Sequence, residues 1–209
     1  MSKKNMLGGI TLASVAGLFA DLNAKLVGGE GGLWLSAFKR FLRKENPWAV
    51  VVGKEVAVIV LGKYATTAEY RNAVRQAGHK VGDWAGGILA KTTVSSTAVR
   101  LDLFEVTVRE LGFAEGATRA DIYRRAQDLG FAVLPAEAGL LLRLELPNQA
   151  SGEQLLVGMK PLTDRDGDLC VFLLKRDVDG SWLSAHYVRA DDVLDPGVRW
   201  VFGRAKSSP

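Results

Sequence analysis

The spacing of apolar residues predicts helices at the start of the chain. In residues 11–27 and 33–45 they recur every three or four positions, which places them on one face of an α-helix. The glycine pair after the first segment favours a helix end, because glycine accepts the left-handed backbone found there. Asn46-Pro47 ends the second segment, since the residue before a proline is pushed out of the helical region. The pattern therefore begins with two amphipathic helices.

A mixed segment follows. Residues 50–61 are rich in β-branched side chains and predict a strand or a short hairpin. Thr66 and Glu69 have the spacing of a capping box, which predicts a helix that starts there and ends at Gly78. A shorter helix, capped by Asp83, is predicted over residues 83–89. The residues that follow are rich in serine and threonine and indicate a linker.

The second half of the chain has the alternation of β-strands. Asp166-Gly167 and Asp179-Gly180 lie between apolar runs and predict tight hairpin turns, because these residues tolerate the positive φ that such turns need. A helix capped by Thr118 is predicted to end at Gly130. Strands are predicted at residues 101–108, 142–146, 155–157, 169–175, 182–187 and 199–202.

These elements predict an α+β protein in which a helical N-terminal region precedes a mainly antiparallel β-sheet domain. The predicted organisation is a helical and basic region in residues 1–90, a linker in 91–100, a sheet domain in 101–204 and a tail in 205–209.

Composition narrows the function classes. The net charge of +4 is the sum of +8 in residues 1–100 and −4 in the remaining residues. The basic first half is compatible with binding to an acidic partner or a nucleic acid. The single cysteine excludes an intramolecular disulfide, and with two histidines it gives too few ligands for a zinc site. We expect no metal and no cofactor.

The start of the chain resembles a secretory signal, because Lys3-Lys4 precedes an apolar run. The helical spacing continues past Asp21, however, and favours an amphipathic helix of a cytoplasmic protein. No apolar run is long enough to predict a membrane span.

Candidate catalytic residues are few. Ser184 and His186 are a nucleophile and a base by type, but they lie on one face of a predicted strand without a nucleophile-elbow motif. The acidic turn at residues 164–168 lacks the glycine and glutamate positions of a calcium loop. We therefore predict no catalytic residues and no enzyme, with a hydrolase that uses His186 as a third hypothesis.

A basic helical segment supports the alternative of nucleic-acid binding. Four cations share it beside Trp34 and Phe38, a combination that can hold phosphates and stack bases. They are Lys39, Arg40, Arg43 and Lys44. The aromatic residues fall on the opposite, apolar face, which also fits an ordinary solvated helix.

Two resemblances add to this interpretation. The chain resembles a bacterial protein family of unassigned activity over nearly its whole length, through residues 41–48, 82–85, 110–113 and the Asp-Gly hairpins. The last third is similar to C-type-lectin-like variable proteins of diversity-generating retroelements, through Gly180-Ser181-Trp182 and residues 198–204. The doubled glycine and the asparagine-rich run of that family are absent here.

The second resemblance implies ligand-binding positions between the two matched segments. These are Ser184, His186, Val188, Arg189, Asp191, Asp192 and Asp195. We expect a non-enzymatic module in which a rigid β scaffold carries this polar surface, and the surface binds a protein or another macromolecule. The sequence is also compatible with an oligomer. The alternative is the nucleic-acid-binding protein described above.

Overall fold

The computed structural model describes residues 12–42, 53–189 and 191–204. The chain divides into two units, residues 1–50 and 51–209. Arg43, Lys44, the predicted helix end at Asn46-Pro47 and the predicted tail lie outside the described residues.

The first unit consists of two helices that contact each other, α1 (Leu12–Val27) and α2 (Gly31–Leu42). Both were predicted from the spacing of apolar residues, and both are confirmed. Lys25 connects them, because its amine lies 4.4 Å from the ring centroid of Trp34 and 2.9 Å from the carboxylate of Asp21. Within the described part of the chain, no helix is both long and apolar enough to cross a bilayer.

The second unit combines a large sheet with four described helices. The helices are α3 (Thr67–Gln76), α4 (Asp83–Leu89), α5 (Arg119–Asp128) and α6 (Glu137–Glu145). The strands are β1 (Lys54–Leu61), β2 (Lys80–Val81), β3 (Val99–Thr107), β4 (Ala117–Thr118), β5 (Phe131–Ala132), β6 (Gln154–Val157), β7 (Leu162–Thr163), β8 (Leu169–Asp177), β9 (Gly180–Tyr187), β10 (Val193–Leu194) and β11 (Arg199–Arg204). An α+β fold with helices at the N-terminus is confirmed.

The main sheet has the strand order β1-β3-β11-β6-β8-β9-β2, with β5 beside β11 and β7 beside β8. Its neighbours are antiparallel except for β6 with β11 and β2 with β9. The short strands β4 and β10 form a separate antiparallel pair. The prediction of a mainly antiparallel sheet is therefore confirmed.

Helices cover both faces of this sheet. Trp200 pairs with Leu156, and Leu156 with Leu173, so these three side chains share one face. Tyr123 of α5 meets Trp200 edge-on at 5.4 Å on that face. Phe172 points to the opposite face, where Gly139 of α6 lies close against its ring. Apolar side chains from both faces are buried, which explains why strand β11 is apolar at successive positions.

The predicted helix caps at Thr66 and Thr118 are confirmed. Thr66 accepts from the backbone N–H of Glu69, and Thr118 accepts from that of Asp121. The two loop residues of the β8–β9 hairpin are Val178 and Asp179, between the paired residues Asp177 and Gly180, and Gly180 has a φ of 124°. Asp83, in contrast, is the first residue of α4 and not its cap, since that helix starts after Gly82 without a side-chain cap.

One predicted strand is wrong. Residues 142–146 were expected to alternate between core and solvent, but most of them form the second half of α6. Leucine is a strong helix former, and the helix is buried from Glu137 to Arg143, so its sequence shows no helical periodicity. Arg143, expected at the surface, is fully buried.

The boundary between units also differs from the expected linker. Strand β1 pairs with β3 along its length, which joins residues before and after positions 91–100 in one sheet. The serine- and threonine-rich stretch is instead fastened to α6, where Ser95 donates its backbone N–H to Glu137 at 2.7 Å. The structure therefore places the division after Val50.

Two basic side chains of this unit, His79 and Arg143, are buried. The Arg143 guanidinium donates to Gln149 Oε1 at 2.7 Å and to the carbonyl of Leu146. Burial lowers its pKa to about 10, and Arg176 contributes. His79 is 7% exposed, and its Nε2 atom has no hydrogen-bond partner among the residues that the structure describes. Burial lowers the pKa of His79, and the charge of Arg143 lowers it further.

We expect His79 to make the free energy of unfolding depend on pH. Because the folded pKa of His79 is below the value of about 6.5 in an unfolded chain, the unfolded state binds more protons below that pH. Stability is therefore lost as pH falls from about 6.5 towards the folded pKa, with a slope of at most about 1.4 kcal/mol per pH unit. In His79→Gln the unfolding free energy, measured by urea titration from pH 8 to pH 5, should fall less steeply than in the wild type. An unchanged slope would contradict a neutral, buried His79.

Candidate functional site

The predicted ligand-binding residues divide between two clefts at one end of the β8–β9 hairpin. Val188, Arg189, Asp191 and Asp192 line the first cleft, His186 and Asp195 line the second, and Ser184 lines neither. Side-chain alternation explains the division. Tyr187 faces α4, since its ring meets Trp84 edge-on at 5.8 Å, whereas the preceding His186 faces the other side of the sheet with Leu173.

The first cleft, called the Tyr187 cleft below, has a volume of about 660 Å³. It is lined by residues 167–169 and 187–189 together with Asp191 and Asp192. The register of the hairpin creates it, because Cys170 pairs with Tyr187 and Val188 donates its N–H to the carbonyl of Leu169 at 2.9 Å. The start of β8 and the end of β9 therefore form its floor.

Two exposed aromatic residues lie beside this floor. Tyr187 is 44% exposed and Trp84 is 36% exposed. The guanidinium of Arg165 lies over the Trp84 ring, 4.6 Å from its centroid. Tyr187, Trp84 and Arg165 thus form a row in which one cation, the Arg165 guanidinium, already lies on an aromatic ring, that of Trp84.

The buried carboxylate of Asp164 stabilises the acidic turn at residues 164–168, which lies at the Tyr187 cleft. Asp164 is 2% exposed, and its Oδ1 accepts from the backbone N–H groups of Asp166 at 2.9 Å and Asp168 at 3.0 Å. Its own N–H donates to the Asp168 carbonyl at 2.8 Å. The turn is thus built from internal hydrogen bonds, as the hairpin prediction for residues 164–168 expected, and it holds Asp168 at the cleft.

Acidic groups dominate the electrostatics here. Asp166, Asp168, Asp191 and Asp192 are all exposed, and the cations near them are Arg165, Arg189 and Lys91, whose amine donates to the Asp164 carbonyl at 3.2 Å. Desolvation raises the pKa of the Tyr187 hydroxyl, and nearby acidic groups raise it further, with Asp164 the largest of them. The surface therefore combines aromatic area with a local excess of negative charge.

The second cleft has a volume of about 640 Å³ on the opposite face. His186 lies in it beside Leu156 and Leu173, and residues 193–199 close one side. Burial lowers the pKa of His186, while the charge of Asp192 acts in the opposite direction. The imidazole is therefore held neutral among largely apolar neighbours.

Ser184 and His186 do not form a nucleophile–base pair in the structure. Ser184 and His186 are two positions apart on the same strand face, and the structure shows no hydrogen bond between them. Cys170 is buried, and desolvation followed by the charge of Asp164 raises its pKa to about 11, which makes it an unreactive thiol. Among the described residues, no group of three His, Cys, Asp or Glu side chains is placed to hold a metal ion.

The remaining predicted positions have simpler roles. Val188 is 3% exposed, so its side chain stabilises the core and does not face solvent. Of the four cations proposed for nucleic-acid binding, Lys39 is exposed and Arg40 is half-buried. Arg43 and Lys44 lie outside the described residues, so that alternative stays a prediction.

No family model, no curated protein and no solved structure matches the chain. Both resemblances noted in the sequence therefore stay predictions, and the function is argued from the geometry of the clefts.

Sequence reasoning missed the residues that complete the Tyr187 cleft. The sequence places Trp84 in a predicted helix over residues 83–89 and Asp168 in the acidic turn at residues 164–168, without indicating that the two lie near Tyr187. One signal was present. The turn at Asp179-Gly180 sets the β8–β9 register, and counting back from it places the residues around Leu169 opposite those around Val188. Nothing in the sequence indicated that α4 approaches Tyr187.

Proposed function

We propose that the protein is a cytoplasmic, non-enzymatic binding module that recognises a partner protein at the Tyr187 surface. This surface comprises the Tyr187 cleft with Trp84 and Arg165 at its margin. The observation that supports the proposal most is that two exposed aromatic residues, Tyr187 and Trp84, lie next to an acidic cleft. Internal hydrogen bonds of the turn at residues 164–168 hold this end of the sheet in place.

Physical chemistry favours recognition at such a surface. Tyrosine and tryptophan supply large contact areas at a low cost in side-chain entropy, and they are enriched among residues that dominate binding energies. The exposed residues Arg189, Asp191 and Asp192 belong to the stretch that the resemblance to diversified variable proteins implies as ligand-binding. That agreement supports a polypeptide as the partner, since such proteins usually bind proteins.

Charge reversal at the cleft tests the proposal. In the variant Tyr187→Ser/Asp191→Lys/Asp192→Lys, we expect partner capture from a lysate of the source cells to fall at least about tenfold, because hot-spot truncations commonly cost 2 kcal/mol or more. The partner is quantified by mass spectrometry after capture on the full-length protein. All three side chains are exposed, so the melting temperature should change little.

A matched control places the same charge change elsewhere. Glu55 and Glu145 are exposed and lie at a different cleft, beside β1. Glu55→Lys/Glu145→Lys should capture the same partner as the wild type. Equal capture by both variants, or an unfolded triple variant, would refute a binding role for the Tyr187 surface.

A further inference from the structure

Within the described part of the chain, the outer edge of strand β9 is unpaired beyond Leu183, next to the Tyr187 cleft. The carbonyl of Leu183 accepts from the N–H of Gly82, so the backbone groups of Leu183 point towards β2. Backbone groups two residues apart along a strand point the same way, and those of Ala185 and Tyr187 therefore share this direction. The inward N–H of Val188, which donates to Leu169, confirms the alternation.

Strand β2 is too short to cover this edge. It contains only Lys80 and Val81, which pair with Trp182 and Leu183. The chain then leaves the sheet at Gly82 and enters α4. Among the described residues, no hydrogen bond is formed by the N–H or the carbonyl of Ala185 or by those of Tyr187 on this side. Four strand positions, 184–187, or roughly 13 Å of backbone, are thus available to another strand.

The surroundings of the edge select a cationic occupant. Trp84 and Tyr187 stand beside it, and Arg165 already stacks on Trp84. Four exposed aspartates against three cations, Arg165, Arg189 and Lys91, give the region a net negative charge. A second copy of the chain would bring the same acidic surface against itself, which like-charge repulsion disfavours.

We propose that the free edge of β9 at Ala185 and Tyr187 binds an extended, lysine- or arginine-bearing segment of the partner as an added β-strand. This inference rests on the proposed function and specifies its partner. Main-chain hydrogen bonds to the two residues supply affinity, as in other strand-addition complexes. Basic side chains of the added strand meet the aspartates and the exposed ring of Tyr187, which supplies selectivity.

A pair of synthetic hexapeptides tests the inference. One alternates valine with lysine or arginine, and the other carries glutamate at the basic positions. Binding to the full-length protein is measured by fluorescence anisotropy at low salt. We expect the basic peptide to bind at least about tenfold more tightly, and we expect hydrogen exchange at the amides of Ala185 and Tyr187 to slow when it binds.

Ala185→Pro removes the central donor of the edge. Its N–H makes no bond to β8, so proline fits there as it does on other edge strands. Losing one or two hydrogen bonds of about 1 kcal/mol each should weaken the basic peptide about five- to thirtyfold. Ala185→Ser keeps the N–H and should bind like the wild type. Hydrogen exchange in the wild-type protein still decides the question if the proline variant does not fold.

The outcomes separate this inference from the proposed function. Full binding by Ala185→Pro with loss in the charge-reversed triple variant would refute strand addition while the Tyr187 surface remained a binding site. No difference between the two peptides would refute the cationic partner. A dimer of the protein that Ala185→Pro dissolves would also overturn the inference, because the occupant would then be a second copy.

Discussion

Glu137→Gln is expected to destabilise the protein by about 2–4 kcal/mol. Glu137 is fully buried at the start of α6, and its carboxylate accepts from three donors that belong to three separate segments. These are the N–H of Gly62 at 2.6 Å, the N–H of Ser95 at 2.7 Å and the hydroxyl of Tyr70. An amide can keep only one accepting oxygen, so at least one N–H would face an amide donor. An unpaired buried donor costs about 1–3 kcal/mol, and the lost charge weakens the remaining bonds and the interaction with the helix dipole.

Urea unfolding at pH 7 checks this expectation. Glu145→Gln is the matched control, since Glu145 ends the same helix and is exposed, and it should change the unfolding free energy by no more than about 0.5 kcal/mol. Tyr70→Phe should couple to Glu137→Gln in a double-mutant cycle, because the two side chains share a hydrogen bond. Equal stabilities of the two glutamine variants would contradict the role of Glu137 as the link between α6, α3 and the stretch around Ser95.

Gly158→Ala should destabilise the protein by about 3 kcal/mol, which corresponds to a melting temperature lower by about 6–12 °C. A Cβ atom at this position would overlap the ring of Phe202. The backbone cannot move away easily, because Gly158 donates to Val201 and accepts from Leu134, both at 2.8 Å. Phe202 is fully buried and cannot yield either, since its ring packs among other aromatic rings: Tyr123, Phe131 and Trp200.

Gly197→Ala is the control for this substitution. A Cβ at Gly197 would meet no atom of the described residues within 4 Å, and the φ of Gly197 lies outside the left-handed region. Its melting temperature, measured by calorimetry beside Gly158→Ala, should stay within about 2 °C of the wild type. A Gly158→Ala variant as stable as the control would show that Phe202 has another position open to it.

Local chemistry decided which parts of the fold could be predicted. The Asp-Gly turns, the caps at Thr66 and Thr118 and the helices α1, α2 and α5 each depend on a few adjacent residues, and the sequence displays them. Helix α6 depends on its surroundings instead. It is buried on all sides along most of its length, so apolar residues and Arg143 succeed one another without the period that marks a helix.

The boundary between the units also depends on tertiary contacts and therefore could not be predicted from the sequence. Residues 91–100 have the composition of a linker, but the carboxylate of Glu137 fixes the backbone there. The long-range pairings of β1 with β3 and of β2 with β9 show that the sheet includes strands before this stretch. The β1–β3 pairs join residues 38 to 51 positions apart, and pairings at such separations leave no local signature in a single sequence.

The predicted ligand-binding residues lie only in part at the Tyr187 cleft. The stretch from Ser184 to Asp195 does reach two clefts, and Arg189, Asp191 and Asp192 are exposed as expected. Strand alternation separates His186 from Tyr187, and burial removes Val188 from the surface. Trp84 and Arg165 come from distant parts of the chain, which only the folded arrangement brings together.

The central claim is that a partner protein contacts the Tyr187 surface, and photo-crosslinking measures this most directly. A photoreactive phenylalanine analogue placed at Tyr187 is compared with the same analogue at Val178. Val178 is 96% exposed but lies in the hairpin turn, roughly 23 Å along the strands from Tyr187. We predict a crosslink from position 187 to a single partner, at a lysine- or arginine-bearing segment, and none to that partner from position 178. Equal crosslinking from both positions, or none from position 187, would contradict the account.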